Sequence, residues 1–372
     1  MRFSEIPGLE DKKNQLLTAV ANNQVAHAQL FSGKSGGPAL AMAVAYATYL
    51  NCQNRQGNDS CGECAACSKN SKLVHPDLHF VFPVSGTKDV KSEEAISEKF
   101  LPTRRNFLLQ NPHGDLEAWS EAYGGENKQV NISKRESRGI IKGLSLKAFE
   151  GEYKIMIVWL PEYMHPTAAN GILKILEEPP ESTVFILVTY DYERLLSTIT
   201  SRTQMVTIPS FDDESISQIL SETHQVSVEK AATLAALADG DLNTAVKLAN
   251  QSEDDNHDFF TRWMRSCFKR ELPILVEMAD HYHKTNKLAQ RSLIKYALTI
   301  LRESLICQNA PDINRVNGAV IEFSKKFSST LNEEKLINIS ALLDEAYFHL
   351  ERNGSPKMIF LDLSLQIAAN IR

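Results

Sequence analysis

The stretch that decides the fold runs from Lys154 to Thr189 and reads KIMIVWLPEYMHPTAANGILKILEEPPESTVFILVT. Its first part, Lys154 to Leu160, is almost wholly apolar, which is the pattern of a strand buried on both faces. Its middle, Thr167 to Glu178, suits a helix that is stopped by Pro179 and Pro180. Its last part, Thr183 to Thr189, is a second buried strand. Strand, helix and strand in this order predict a parallel, doubly wound α/β sheet.

A second strand–helix pair lies nearer the N-terminus, after a predicted helix at 9–24. Gln29 to Ser32 is a predicted strand that leads into the glycine-rich segment from Gly33 to Gly37. The alanine-rich segment from Ala39 to Leu50 follows as a helix. A glycine-rich turn between a strand and a helix is the position of a phosphate-binding loop.

The chemistry of that loop is missing from the sequence. A working loop reads GxxxxGK[ST]: backbone amides hold the phosphates, the lysine neutralises them and the hydroxyl binds Mg²⁺. With Gly33 as the first glycine, the second glycine falls on Pro38, the lysine on Ala39 and the hydroxyl on Leu40. Lys34 lies at the wrong end of the loop to substitute. We therefore expect no ATP as a cofactor. The degenerate loop comprises Gly33, Gly36, Gly37, Pro38, Ala39 and Leu40.

The second catalytic element of such enzymes is also absent. A Walker B strand ends in Asp-Glu, which organises Mg²⁺ and the attacking water. Here the strand from Ile155 to Val158 is followed by Trp159 and Leu160. Glu152 and Glu162 lie nearby in the sequence, but neither has the required position. Two independent losses predict that this chain does not hydrolyse ATP at its own site.

Four of the six cysteines form a tight cluster with the spacing C-x8-C-x2-C-x2-C. In a cytosolic protein such a cluster indicates a metal site rather than disulfides, and four thiolates suit tetrahedral Zn²⁺. Four protein ligands leave no open position, so the predicted zinc is structural. His75 and His79 are expected to be ordinary polar residues, and Cys267 and Cys307 small buried ones. The predicted ligands are Cys52, Cys61, Cys64 and Cys67.

The remaining sequence divides into an insertion and a helical part. Residues 81–130 interrupt the strand–helix rhythm with prolines, glycines and scattered charge, and we interpret them as a partly helical insertion. After Pro209 the pattern is helical. The predicted domains are an α/β core (1–208) with a zinc module (52–67) and the insertion (81–130), an all-α lid (209–254) and an all-α C-terminal domain (255–372).

Composition excludes several classes of protein. Hydrophobic residues make up 43% and charged residues 23% of the chain, as in soluble globular proteins. No apolar run approaches the roughly 20 residues of a membrane helix, and the N-terminus lacks the apolar core of a signal peptide. We therefore expect a cytoplasmic protein with no membrane contact. The net charge of −6 argues against a wholly basic nucleic-acid coat.

Four segments resemble the AAA+ clamp-loader ATPases of bacterial DNA polymerase III, which are P-loop NTPase-like. The segment from Ala168 to Pro180 resembles the helix after Walker B in that family, often written AANALLKxLEEPP. The segments from His27 to Gly33 and from Ser201 to Thr203 resemble the family's opening strand and its Ser-Arg-Cys motif. Asn353 to Leu363 is similar to the last helix. The resemblance covers the chain except for residues 81–130.

The resemblance implies an architecture and a set of partners. It implies an AAA+ core, a helical lid and a collar domain that assembles a pentameric ring. It implies gamma or tau and delta subunits as partners and, through the complex, the sliding clamp and primed DNA. In that family, gamma and tau subunits keep an intact loop, whereas delta-prime subunits often lose it and keep the arginine. This sequence has the second pattern. A zinc module also occurs at this point in family members.

Arg202 is the candidate that the resemblance singles out. It lies in the Ser-Arg motif, and a guanidinium supplied to a neighbour's site stabilises charge on a transferring phosphate. Arg194 is a weaker candidate with a more structural role. The sequence departs from the family pattern at Thr203, where cysteine is usual, and at Thr244, where a looser alignment places the lid arginine.

Two alternatives stay open at this point. One is an ATP-hydrolysing, gamma/tau-like subunit with a deviant loop, which the residues at 38–40 and 159–160 disfavour. The other is a zinc-bearing nucleic-acid adaptor with no role in clamp loading, which would bind DNA stably on its own.

Overall fold

A computed structural model describes residues 1–125, 128–144, 147–250, 253–285, 287–310, 318–352 and 354–371. The chain divides into two compact units. The first unit comprises Met1–Ser215 and Gly240–Asn243, and the second comprises Ile216–Asp239 and Thr244–Arg372. This division does not separate a lid from a collar, so the predicted boundaries at 208 and 254 stay predictions.

The first unit is built on one parallel five-stranded sheet. The strands are β1 (Ala28–Ser32), β2 (Leu78–Val81), β3 (Lys154–Trp159), β4 (Thr183–Thr189) and β5 (Gln204–Thr207), in the order β2-β3-β4-β1-β5. Leu30 of β1 lies opposite Leu187 of β4, which fixes the register at the centre of the sheet. The predicted parallel α/β sheet is confirmed.

Helices surround this sheet, joined in places by short 3-10 turns. They are α1 (Glu10–Ala21), α2 (Ala39–Leu50), α3 (Ala65–Ser71), α4 (Leu101–Gln110), α5 (Leu116–Ala122), α6 (Lys134–Leu144), α7 (Pro166–Glu177) and α8 (Ser197–Thr200). The ends of α2 follow the sequence prediction, and α7 begins at Pro166, a residue whose fixed φ suits the first turn of a helix.

One part of the core of the first unit lies between the sheet and α7, and α2, whose residues are all buried, also packs on the sheet. Every residue of β3 and β4 is buried, which explains why both strands are nearly continuous apolar runs. Met156 and Phe185 pack with Ile172 and Leu176 of α7. The sequence that decides the fold is thus one layer of sheet and the helix that covers it.

The insertion packs onto the sheet instead of extending from it. Trp119 of α5 is 0% exposed and meets Phe82 edge-on at 5.1 Å between ring centroids. Its Nε1 donates a hydrogen bond of 2.9 Å to the carbonyl of Pro83. Within the insertion, residues 126 and 127 lie outside the described part. Helices α4 and α5 therefore form a layer beside the end of β2.

The second unit consists of helices and short connecting turns, with no strand among its described residues. Trp263 and Phe360 stack at 4.6 Å in its core. Asn353, the start of the predicted last segment, lies outside the described residues. The first residues of α9 and α11 belong to the first unit. The helices are α9 (Asp213–His224), α10 (Val228–Ala238), α11 (Leu242–Asn250), α12 (Glu253–Lys269), α13 (Leu272–Lys284), α14 (Lys287–Asn309), α15 (Gly318–Thr330), α16 (Glu333–Glu351) and α17 (Pro356–Asn370).

Membrane insertion has no support in the helices that the structure describes. None of them is both long enough and apolar enough to cross a bilayer.

Candidate functional site

The degenerate loop joins β1 to α2 at the carboxyl edge of the sheet. The Gly33 amide donates to the carbonyl of Thr189 at 3.1 Å, and the Gly37 amide donates to the carbonyl of Lys34 at 3.1 Å. A Cβ on Gly33 would lie 2.9 Å from that of Ala39, so only glycine fits there. Gly36 has a φ of +72°, which also favours glycine. The glycines form a tight strand-to-helix turn.

The positions expected to carry catalytic side chains are apolar and buried. Pro38 precedes α2 and has no amide hydrogen to offer a phosphate. Ala39 is 0% exposed and Leu40 is 1% exposed. These side chains contain no group that neutralises phosphate or binds Mg²⁺.

Other parts of the first unit lie directly on this loop. His113 Nδ1 donates to the carbonyl of Gly37 at 3.3 Å, and its ring meets Phe211 edge-on at 5.0 Å. The side-chain amide of Asn243 donates to the carbonyl of His113 at 2.7 Å. Burial lowers the pKa of His113 to about 4, so the imidazole is neutral at neutral pH.

The segment Gly240–Asn243 completes the cover. The Leu242 amide donates to the carbonyl of Gly36 at 3.1 Å. A Cβ on Gly36 would lie only 1.9 Å from Oδ1 of Asp241, so the carboxylate is seated against the loop backbone. The loop residues from Gly36 to Leu40 are all buried as a result.

The carboxyl end of β3 holds a cation where Walker B carboxylates would lie. The guanidinium of Arg104 lies 3.9 Å from the ring centroid of Trp159. Phe82, Phe107 and Trp119 surround it at 5.0 to 5.4 Å. Nε and Nη1 of Arg104 are buried without hydrogen-bond partners. Burial lowers its pKa to about 9, which still leaves it charged at pH 7.

Both acids near β3 have structural partners. Glu162 accepts hydrogen bonds from Thr189 Oγ1 at 2.9 Å and from the Tyr190 amide at 3.1 Å. Burial raises the pKa of Glu162. Glu152 pairs with Arg55 at 2.8 Å. That neither acid serves metal-linked chemistry stays a prediction.

The four clustered cysteines converge on one point beside α3. Their Sγ atoms all lie within 4.8 Å of one another. The distance is 3.6 Å from Cys52 to Cys61 and 3.9 Å from Cys61 to Cys67. Tetrahedral Zn²⁺ with bonds of about 2.3 Å would separate its sulfur ligands by about 3.8 Å. The donor set and its spacing therefore fit a zinc ion.

Backbone amides favour thiolate within this cluster. The amides of Cys61, Cys64 and Cys67 donate to sulfur at 3.3 to 3.4 Å. Amides of Cys64 and Glu63 lower the pKa of Cys61 to about 6, whereas burial raises the pKa of Cys52 and of Cys67. Four thiolates in one buried place require a cation to compensate their charge.

His75 lies outside this cluster. Its Nδ1 accepts a hydrogen bond from the Asp77 amide at 3.1 Å. Its Nε2 lies 3.4 Å from Oε1 of Glu150. The candidate metal group comprises the four cysteines and includes neither His75 nor His79.

Arg202 lies at the surface, between α8 and β5. Its Nε donates to Oε1 of Glu177 at the end of α7, at 2.5 Å. Its Nη1 donates to the carbonyl of Thr198 at 2.8 Å. The Arg202 side chain is 31% exposed. Arg194 instead covers the ring of Tyr163 at 5.2 Å, which is a structural contact.

The sequence of the first unit matches a known protein family over nearly its whole length. The model of the family described as "DNA polymerase III, delta subunit" matches residues 8–212, more than half of the chain. The chain belongs to this clamp-loader family. The predicted family resemblance is confirmed.

The relatives are named as two different subunits of DNA polymerase III, tau and delta'. The tau subunit of DNA polymerase III from Bacillus subtilis (strain 168) is 22% identical over 96% of this chain and 60% of its own length. The delta' subunit from Yersinia pestis is 29% identical over 62% of this chain and 56% of its own length. The delta' subunit from Bacillus subtilis (strain 168) is 26% identical over 68% of this chain and 62% of its own length. The chain thus spans 56 to 62% of these relatives.

The residues that cover the loop in this family member are not among those predicted from the sequence. Arg104 and His113 lie in the insertion, and Asp241 and Asn243 lie more than 200 residues after the loop. The family motifs do not include them. The proximity of a buried histidine and a glycine loop is a property of the folded chain.

Proposed function

We propose that this chain is a delta-prime-type subunit of the replicative clamp loader. In this role it does not hydrolyse ATP but completes the ATP site of a neighbouring gamma or tau subunit with Arg202. One observation carries the proposal: the lysine and hydroxyl positions are held by buried Ala39 and Leu40, while Arg202 keeps a surface position.

The chemistry of Arg202 suits a role outside its own chain. A guanidinium is planar, stays charged and offers donors in a fork that matches phosphate oxygens. Glu177 and the carbonyl of Thr198 hold it partly exposed. A neighbour's γ-phosphate would replace Glu177 as its anionic partner. An arginine supplied in trans contributes roughly 10³ to 10⁵ in rate in other phosphoryl-transfer systems.

We also propose that Cys52, Cys61, Cys64 and Cys67 bind one structural Zn²⁺. The ion would cross-link the end of α2 to the start of α3. With four protein ligands it would take no part in a reaction.

The proposed partners are gamma or tau and delta subunits, which together form the ring. The sliding clamp and primed DNA would be reached through this complex. The helical second unit would supply the contacts that close the ring. The relatives are named as subunits of DNA polymerase III, which supports a role in an assembly.

An ATP-hydrolysing, gamma/tau-like subunit is the second candidate. It is favoured by the match to a tau subunit over 96% of the chain. It is disfavoured by Pro38, Ala39 and Leu40 in the loop and by Trp159 and Leu160 after β3. A nucleic-acid adaptor outside the clamp loader is disfavoured by the family match over residues 8–212.

Calorimetric titration of the isolated chain with Mg-ATP distinguishes the two candidates. We expect no saturable binding, because Ala39 and Leu40 replace the lysine and the hydroxyl of the motif and Lys34 lies at the wrong end of the loop. A gamma or tau subunit titrated in the same buffer is the positive control. A micromolar dissociation constant that is abolished by substitutions within residues 33–40 would favour the hydrolysing subunit instead.

A further inference from the structure

We propose that Leu101–Asp115, here called the plug, fills the nucleotide cleft of this chain. The plug comprises α4 and the turn that follows it, and it touches the cleft through Arg104 and His113. The inference deepens the proposed loss of ATP binding and rests on it. It gives the insertion a role, because the plug occupies a site whose own chemistry has been lost.

The plug contacts lie at the edge of the sheet where nucleotides bind in folds of this class. Phosphates lie outside the carboxyl ends of parallel strands, beside the glycine loop and the helix N-terminus. Arg104 contacts Trp159, the last residue of β3. His113 contacts Gly37, in the loop after β1. The plug thus touches both sides of the cleft.

Arg104 opposes a metal ion at the end of β3. Walker B carboxylates would hold Mg²⁺ there. This chain instead places a buried guanidinium there, enclosed by aromatic rings, and among the described residues no acid forms an ion pair with it. The ring faces of Trp159 and its neighbours compensate the charge. A second cation beside Arg104 would be repelled.

The glycine loop is similarly committed to contacts within the chain. Both polar backbone groups of Gly37 are used: its amide donates to Lys34 and its carbonyl accepts from His113. The carbonyl of Gly36 accepts from the Leu242 amide, and the carboxylate of Asp241 is seated against the same residue. An anionic phosphate approaching Gly36 would meet a carboxylate.

The segment Asp241–Asn243, here called the clasp, holds the plug onto the loop. Asn243 donates to the carbonyl of His113, and Leu242 donates to the carbonyl of Gly36. One short segment therefore binds both the plug and the loop. The hydrogen bond between Asn243 and His113, which are 130 positions apart in the sequence, holds the plug against the loop.

A two-by-two set of variants tests the plug. The first change restores the loop motif with Pro38→Gly, Ala39→Lys and Leu40→Thr. The second opens the plug with His113→Ala and Asn243→Ala. Binding of Mg-ADP is measured by calorimetry for the unaltered chain, each change alone and both together. We expect the combined variant to bind at least about tenfold more tightly than the restored loop alone. Equal affinity of these two variants would overturn the plug.

If neither the restored-loop variant nor the combined variant binds Mg-ADP, hydrogen exchange measured without nucleotide tests the plug. In His113→Ala/Asn243→Ala we expect amides of residues 36–42 to exchange at least about tenfold faster, while those of β4 are unchanged. The matched control is His165→Ala, an exposed histidine that caps α7.

Unchanged exchange at 36–42 in the opened variant would overturn the plug. If the opened variant is unstable, the unaltered chain supplies the test. Exchange of its loop amides at the rate of an unfolded peptide would contradict a closed cleft. Mg-ATP binding by the unaltered chain would overturn the proposed function, whereas the exchange experiment addresses the plug without any nucleotide.

Discussion

Two arginines of the first unit have opposite surroundings, and these surroundings decide what each can do. Arg104 is buried among aromatic rings, and no acid in the described part of the chain forms an ion pair with it. Arg202 is partly exposed and pairs with Glu177, which is more exposed. An exposed ion pair of this kind contributes little stability, about 0 to 1 kcal/mol, so it can be exchanged for another partner. These surroundings agree with the proposal that Arg202 serves a neighbour, whereas Arg104 makes its contacts within its own chain.

The pH dependence of the free energy of unfolding tests whether His113 is buried and neutral in the folded chain. The pKa of this histidine is about 4 in the folded chain and 6.5 ordinarily. The unfolded chain therefore binds more protons between these values, and stability falls as pH drops from 6.5 to about 4. The loss attributable to His113 is at most about 3 kcal/mol, from 1.36 kcal/mol per unit.

Urea unfolding between pH 4 and 7 measures this loss. His113→Gln keeps a donor for Gly37 but does not titrate, so we expect its stability to fall less on acidification. The groups that contact the ring, the Gly37 carbonyl and Phe211, carry no charge. His165→Gln should behave like the unaltered chain. Identical pH profiles for all three proteins would contradict the buried, neutral state of His113.

At the scale of single elements, the sequence predicts the strands that are buried on both faces. β3 and β4 are nearly continuous apolar runs, and the observed bounds of β1, β3 and β4 agree with the predictions to within a residue. β2 and β5 were missed. Both lie at sheet edges and have only four residues, and β5 exposes three of them. Their strand conformation depends on pairing with β3 and β1, which a local pattern does not reveal.

The insertion illustrates the same limit for the candidate site. Its prolines, glycines and charges indicate a loop-like segment, yet Trp119 is fully buried against Phe82. Arg104 would be placed on a solvent-exposed face by any rule based on charge. The metal ligands, by contrast, follow from spacing alone because the whole cluster lies within residues 52–67.

Removal of one cysteine tests the metal centre at this scale. Protein purified without added zinc should contain about one equivalent of zinc per chain. Cys64→Ser should lower the zinc content and lower the melting temperature by at least about 4 °C, since metal binding contributes to folding and 1 kcal/mol corresponds to about 2 to 4 °C.

The control for this change is Cys307→Ser, a half-buried cysteine of the second unit. It should retain the zinc content of the unaltered chain. Metal analysis and thermal unfolding provide both readouts. Zinc-free protein with the normal melting temperature would show that the cluster is not a metal site.

At the scale of the whole molecule, the chain combines a first unit built on the parallel sheet, for which we propose a degenerate ATP site, and a second unit whose described residues contain helices and no strand. If the cleft is closed and degenerate, as proposed, the chain would not hydrolyse ATP on its own. Such a cleft is consistent with a subunit whose contribution lies at its surface, where Arg202 is found. Family membership and relatives named as polymerase subunits support the same conclusion.

The most direct measurement is the rate of clamp loading by a reconstituted loader that contains Arg202→Ala. Gamma or tau, delta, the clamp, primed DNA and ATP complete the reaction. We expect the variant to fold, keep its metal and enter the complex, but to load clamps at least about tenfold more slowly. Total ATP turnover should fall only in part, because other sites in the ring remain complete. Arg202→Lys should restore little, because an ammonium lacks the planar fork.

Arg194→Ala is the matched control, since that arginine contacts Tyr163 within its own chain. It should load clamps at the normal rate. A reduced rate with Arg202→Ala and a normal rate with Arg194→Ala is the result that the trans-acting arginine predicts. A normal rate of clamp loading with Arg202→Ala would contradict it and leave Arg202 with only its structural contact to Glu177.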